Sequence, residues 1–86
     1  MNIERKTYDK DIFAEIMYQI RQVVSEYKFR YNREPLMIIL SPNLITGFKY
    51  TNPNFLDYNP LNNIHTIFGI ECKESPVLCD LEYKVY

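Results

Sequence analysis

The sequence has few of the residues that build common phosphate-binding and catalytic motifs. Its 86 residues include two glycines and one histidine. A glycine-rich phosphate-binding loop is therefore excluded, because that loop needs several glycines to bring backbone N–H groups onto the phosphate. A single histidine also leaves no histidine pair for acid–base work or metal binding. Since the chain shows no catalytic signature, we expect a non-catalytic protein without catalytic residues.

Cysteine is scarce as well. Cys72, Cys79 and His65 are the soft metal ligands of the chain. The two cysteines lie further apart than the roughly two to four residues that separate ligands in zinc sites. We therefore expect no metal site and no cofactor. The expected roles are structural: Cys72 in the core and Cys79 near a turn, both as the free thiols that a reducing compartment favours.

Long apolar runs are also missing. The longest run is 36–40, far short of the roughly 20 residues that span a bilayer. The first residues, 1–6, are polar and are followed by no apolar segment of the kind found in secretory signals. We therefore expect no membrane association and a cytoplasmic location.

The charges nearly balance, with ten Lys and Arg against eleven Asp and Glu, so the net charge is −1. This gives no long-range attraction to a phosphate backbone, and nucleic-acid binding is not expected. The segment 27–33 nevertheless alternates aromatic and basic side chains, which suits base stacking and phosphate contact. The candidate nucleic-acid-binding residues are Lys28, Arg30, Tyr31 and Arg33. We favour the alternative that these cations stabilise the end of a helix, whose dipole attracts positive charge.

The composition is typical of one compact domain, with 47% apolar and 24% charged residues. A chain of this length has room for a single small core. We therefore predict one domain over 1–86, in which 1–8 is an N-terminal segment ahead of the first helix.

A long amphipathic helix is predicted from Asp9 to about Phe29. Its apolar residues recur at spacings of three and four: Phe13, Ile16, Met17, Ile20, Val23, Val24 and Tyr27. Asp9 is a plausible N-cap, and Pro35 disfavours helical geometry in the residue before it. We expect the helix to end by Tyr31 or Asn32.

A strand and a short helix are predicted next. Residues 36–40 are all apolar, which favours a central strand covered on both faces. Ser41 followed by Pro42 is typical of a helix start, since serine caps the first turn and proline fits its first position. We expect this helix to run to about Thr46 and to end at Gly47.

The segment 49–65 is predicted to be a long irregular loop. It contains five asparagines and two prolines and shows no sustained period. The loop nevertheless carries large apolar side chains, which gives our candidate partner-binding residues: Tyr50, Phe55, Leu56 and Tyr58. Exposed aromatic clusters with polar rims often mark protein interfaces. The alternative is that the loop folds back and covers the open face of a small sheet, and the sequence leaves both interpretations open.

Two further strands are predicted at 66–73 and 81–86, where apolar and polar residues alternate. We expect them to pair as a C-terminal antiparallel hairpin. The predicted fold class is α+β, with one long and one short helix packed on a small three-stranded sheet. The predicted core consists of Phe13, Ile16, Ile20, Val24, Ile38, Ile39, Phe68, Ile70, Tyr83 and Val85.

Two short motifs and the order of elements resemble a known family. An apolar strand, 36–40, ends in Ser41-Pro42, and a later strand carries Phe68-Gly69-Ile70 ahead of a polar turn at 74–80. Over residues 12–86 this order resembles the axial domain of tailed-bacteriophage major capsid proteins. The chain lacks the long spine helix, the peripheral-domain sheet and the extended arms through which capsid subunits interlock.

The resemblance implies a phage or prophage origin and a small non-catalytic protein that acts through protein–protein contacts. The expected role is in head structure or assembly, with a phage structural protein as the partner. The alternative is a phage-encoded inhibitor that binds and blocks a host enzyme or defence factor, and the third class is a nucleic-acid-binding accessory protein. The expected location is the host cytoplasm or the virion. The sequence leaves open whether the protein forms a homo-oligomer.

Overall fold

The computed structural model describes residues 9–86 and shows two helices and five strands. The predicted N-terminal segment, 1–8, lies outside the described residues. The predicted α+β class is confirmed. In chain order the elements are α1 Lys10–Tyr31, β1 Ile38–Leu40, α2 Pro42–Thr51, β2 Asp57–Asn59, β3 Ile64–Ile67, β4 Ile70–Glu74 and β5 Tyr83–Val85.

Helix α1 has the caps and the buried stripe that the sequence predicts. The Asp9 carboxylate accepts hydrogen bonds from the backbone N–H groups of Asp11 at 2.8 Å and Ile12 at 3.3 Å. At the other end Asn32 adopts the left-handed conformation, with φ of 54°, and ends the helix. The buried residues lie on one face: Phe13, Ile16, Ile20 and Val24. Among residues 9–86, no helix is both long enough and apolar enough to cross a membrane.

The five strands form one sheet in the order β2-β3-β4-β1-β5. Strand β1 is parallel to β4 and antiparallel to β5, and the other neighbours are antiparallel. The predicted three-stranded sheet is therefore wrong. The segment 66–73 holds parts of two strands, because Phe68 and Gly69 form a tight turn with φ of 54° and 78° and fold β4 back on β3. Positive φ at both central residues is the geometry that joins antiparallel strands directly.

The predicted C-terminal hairpin is also wrong, because β1 lies between β4 and β5. Ile38 pairs with Cys72 of β4 on one side and with Val85 of β5 on the other. The connection from β4 to β5 crosses the end of β1, so β5 pairs with β1 and not with β4. Its two ends are held there, since Ser75 N–H donates to the Leu40 carbonyl and Ser41 N–H donates to the Glu82 carbonyl.

Both helices bury their apolar residues against one face of the sheet. That face carries Ile38, Leu40, Ile67, Ile70 and Cys72. Ile39 alternates to the other face and is half-buried, and Leu36 ahead of the strand is 73% exposed. The prediction that 36–40 is covered on both faces is therefore wrong.

The segment 49–65 is more regular than predicted. Helix α2 continues to Thr51, β2 spans Asp57–Asn59, and β3 begins at Ile64. Gly47 does not end α2 but is buried inside it, at a point where an added Cβ would overlap the Phe13 ring of α1. Glycine is needed there because the two helices pack closely. The predicted end of α2 at Gly47 is therefore wrong.

The observed core agrees with the predicted core for α1 but is larger around α2. Its members are Phe13, Ile16, Ile20, Val24, Ile38, Leu40, Leu44, Ile45, Phe48, Leu56, Ile67, Ile70 and Cys72. Of the other predicted members, Tyr83 and Val85 pack at its edge, Ile39 is half-buried, and Phe68 is 43% exposed. Phe68 is displaced to the surface because it occupies the β3–β4 turn.

Ser41 joins α2 to the segment before β5, and its hydroxyl is fully buried. The Oγ atom accepts from Leu44 N–H at 3.1 Å and donates to the Asp80 carbonyl at 2.6 Å. We expect Ser41→Ala to lower the free energy of unfolding by about 1–3 kcal/mol, since it removes a cap and leaves the buried Leu44 N–H without its acceptor. Urea unfolding measures this. The matched control is Ser25→Ala on the exposed side of α1, and equal losses in the two variants would contradict the assigned role.

Candidate functional site

Two clefts open on either side of the segment 52–56, which joins α2 to β2, and Pro53 lines both. The first, which we call the helix cleft, has a volume of about 450 Å³, and its walls include Met17, Arg21, Phe55, Asp57 and Phe68. The second, which we call the hairpin cleft, has a volume of about 420 Å³ and is lined by Lys49, Pro53, Leu56, Tyr58, Asn63 and His65. Both volumes fall in the range of small-molecule and anchor-residue sites.

The helix cleft has an aromatic wall, Phe55 and Phe68, that continues into the core through Phe48. Phe55 lies between the buried Phe48, at 4.9 Å between ring centroids, and the exposed Phe68, at 5.5 Å. Phe48 in turn meets Phe13 edge to face at 5.5 Å. The exposed Phe68 ring is therefore linked to the core through Phe55 and Phe48, and these contacts fix its position at the mouth of the cleft.

Arg21 of α1 supplies a positive charge to the same cleft. Its guanidinium carbon lies 5.4 Å from the centroid of the Phe68 ring, within the range of a cation–π contact. Within residues 9–86 this guanidinium makes no ion pair. Asp57, at the start of β2, adds an exposed carboxylate to the cleft wall. The helix cleft thus combines an aromatic surface with one carboxylate and one cation that forms no ion pair within the described range.

The hairpin cleft has a more polar lining. The Tyr58 hydroxyl donates to Asn63 Oδ1 at 2.6 Å, and the Tyr58 ring lies 4.8 Å from the His65 ring, its neighbour across β2 and β3. The pKa of His65 is lowered first by burial and then by the positive charge of Lys49, while the carboxylate of Glu74 acts in the opposite direction. Lys49 is therefore close enough to the imidazole to disfavour its protonation.

The four predicted partner-binding residues do not form one surface. Leu56 is 6% exposed and belongs to the core, and Phe55 is half-buried in the helix cleft. Tyr58 is 49% exposed in the hairpin cleft, whereas Tyr50 is 74% exposed and lines neither cleft. The segment therefore covers the core with Leu56 and exposes Tyr50 and Tyr58, and partner binding by these residues stays a prediction.

The remaining cleft residues were missed by sequence reasoning because they come from distant segments. The sequence gives no signal for Arg21, and the alternating pattern predicts a strand at Phe68. A signal for Phe68 was present, since Gly69 within an alternating apolar segment is typical of a tight turn. Lys49 and His65 lay at the two ends of the predicted loop, and only the sheet brings them together.

The predicted nucleic-acid-binding residues lie at and just after the end of α1, where three of them are engaged within the chain. The Lys28 ammonium lies 3.1 Å from the Glu34 carboxylate. The Arg33 guanidinium carbon lies 5.1 Å from the Tyr27 ring centroid and 5.9 Å from that of Tyr31. This arrangement favours the helix-end interpretation, and nucleic-acid binding through Lys28, Arg30, Tyr31 and Arg33 stays a prediction.

The two thiols differ in their exposure. Cys72 is buried and Cys79 exposed, and both are free. Burial raises the pKa of Cys72 to about 12, so this thiol stays protonated and a weak nucleophile at neutral pH. Within residues 9–86, no group of three or more His, Cys, Asp or Glu side chains is placed to hold a metal ion.

No protein-family model, curated protein or solved structure matches this chain. The resemblance to the axial domain of phage capsid proteins therefore stays a prediction that rests on the sequence motifs.

Proposed function

We propose that the protein is non-catalytic and acts through protein–protein contacts, with the helix cleft as its contact site. The observation that carries this proposal is the placement of Phe68, which is 43% exposed beside Arg21 and Phe55. Aromatic and arginine side chains beside a pocket are the residue types that contribute most to binding at protein interfaces.

The shape and charge of the helix cleft define the partner's chemistry. An apolar anchor side chain of the partner packs against Phe55 and Phe68, where the flexible thioether of Met17 adapts to its shape. An acidic residue next to that anchor pairs with Arg21, and a basic one pairs with Asp57. Since both charges lie at the rim, they contribute orientation and association rate more than affinity.

The motifs shared with capsid axial domains support a phage or prophage setting for this contact. The role we propose first is in head structure or assembly, with a phage structural protein as partner in the host cytoplasm or the virion. The second candidate is a phage-encoded inhibitor that binds a host enzyme or defence factor, because an exposed Phe–Arg surface on a small scaffold serves that role equally. The net charge of −1 disfavours a nucleic-acid-binding accessory.

A matched pair of substitutions tests the helix cleft. Phe68→Asn removes the ring and keeps a residue that tolerates the positive φ of the turn. We expect it to weaken binding of the purified partner about tenfold or more, with little change in melting temperature. Phe29→Asn, at a phenylalanine that is 93% exposed and lines neither cleft, is expected to retain binding.

The partner is first isolated by affinity capture from phage particles and from host lysate, identified by mass spectrometry and purified. A phage structural protein supports the head role, and a host enzyme supports the inhibitor role. Equal binding by Phe68→Asn and Phe29→Asn would contradict the helix cleft as the contact site. Failure to capture a protein from either source would contradict the proposal as a whole.

A further inference from the structure

The hairpin cleft brings together hydrogen-bond donors from three separate segments. Lys49 comes from α2, Asn63 from the β2–β3 turn and His65 from β3. The Asn63 oxygen already accepts from Tyr58, so its Nδ2 group remains as a donor. Among residues 9–86, no acceptor engages the Lys49 ammonium, the Asn63 Nδ2 or the His65 ring nitrogens.

Lys49 and His65 line the same cleft, and Lys49 supplies its positive charge. The Lys49 ammonium and the His65 imidazole lie close enough that the first lowers the pKa of the second. Three other titratable groups lie near the imidazole. Glu74 raises the pKa of His65, against the effect of Lys49, but does not line the cleft. Tyr58 and Cys72 are the neighbours of His65 on the adjacent strands, and Cys72 is protonated. An anion bound between Lys49 and His65 would offset the charge of Lys49 and favour protonation of the ring.

We propose that the hairpin cleft binds a small phosphate ester, with the phosphate held by Lys49, Asn63 and His65. Three donors match the three terminal oxygens of a phosphate monoester. A carboxylate is a poorer match, because the lining has no arginine to grip two oxygens in one plane, whereas lysine binds phosphate as a point charge.

The rest of the cleft accommodates the organic part of the ester. The volume of about 420 Å³ exceeds what a phosphate group alone needs. Pro53, Leu56 and the face of the Tyr58 ring provide an apolar wall against which a ring-shaped body packs. We therefore expect an aryl phosphate to bind more tightly than inorganic phosphate.

The single histidine of the chain makes the test direct, because its imidazole proton signals need no separation from others. The isolated protein is titrated with phenyl phosphate, inorganic phosphate and benzoate while the His65 signals are followed by NMR. Saturating phenyl phosphate is expected to raise the pKa of His65 by about one unit or more. Phenyl phosphate should bind more tightly than either of the other two probes.

Two substitutions locate the site. Lys49→Gln is expected to weaken phenyl phosphate binding about tenfold and to raise the pKa of His65 in the free protein, since it removes the opposing charge. Asn63→Gly keeps the positive φ of 55° and removes the amide, and should also weaken binding. The control is Lys84→Gln, at an exposed lysine of β5, the opposite edge of the sheet.

An unchanged His65 titration with phenyl phosphate would overturn the proposal, as would equal binding of phenyl phosphate and benzoate or equal effects of Lys49→Gln and Lys84→Gln. The measurement needs no protein partner and leaves the helix cleft intact. Its failure is therefore distinguishable from failure of the protein-contact function.

Discussion

Ile20→Ala is expected to lower the free energy of unfolding by about 2–5 kcal/mol, the range for removing a fully buried aliphatic side chain. Ile20 has no exposed surface and lies in the middle of the buried stripe of α1. Small domains have a total stability of roughly 5–15 kcal/mol. The melting temperature should therefore fall by about 10 °C or more. Thermal and urea unfolding of the purified variant measure the effect.

The control for this prediction is Ile39→Ala, which removes the same atoms from a side chain that is less buried. Ile39 is half-buried on the sheet face away from the helices, so Ile39→Ala should cost less than half as much. The sequence alone places both isoleucines in the core. Glu15→Ala, on the exposed face of α1, should change stability little. If Ile39→Ala costs as much as Ile20→Ala, the described sheet faces are wrong.

Gly47→Ala is expected to destabilise the protein although alanine is the better helix former. Helix propensity favours alanine over glycine by about 1 kcal/mol in a helix interior. At this position, however, the added Cβ overlaps the Phe13 ring. Forcing an extra carbon into a packed core costs about 1–3 kcal/mol and sometimes more. We expect a net loss of about 2 kcal/mol, measured by urea unfolding.

A second substitution separates steric overlap from a backbone effect. Phe13→Leu removes the ring atoms that meet the Cβ, so it should restore part of the stability lost in Gly47→Ala. Its own cost comes from lost contacts with Phe48. The double-mutant cycle is expected to give a coupling of about 0.5–3 kcal/mol in the stabilising direction. A Gly47→Ala variant that is more stable than wild type would contradict the close approach of the helices.

Features that depend on a few neighbouring residues were predicted from the sequence. The apolar spacing in α1 and the Asp9 cap gave its bounds to within a residue or two, and Ser41-Pro42 gave the start of α2. These succeeded because a cap and the face of a helix are decided by residues within one turn of each other. The end of α2 could not be predicted from the sequence. Glycine commonly ends helices, and only the contact with Phe13 shows that Gly47 lies inside this one.

The sheet shows the opposite case. The turn at Phe68 and Gly69 was hidden inside an alternating segment, and the position of β1 between β4 and β5 has no local signal. Strand order depends on which arrangement of the whole chain buries the most apolar surface, which no window of neighbouring residues contains. Because the turn was missed, Phe68 was assigned to the core, whereas the structure places it at the surface.

The candidate site divides in the same way. The sequence shows that the segment 49–65 carries aromatic residues and leaves their exposure open, and in the structure Phe55 and Tyr58 line the two clefts. The residues that meet Phe68 and Tyr58 follow from the packing of distant segments, because Arg21 comes from α1 and His65 from β3. Residue chemistry is a local property and can be read from the chain. A cleft is made by surfaces from distant segments, so its composition follows from the packing of helices and strands.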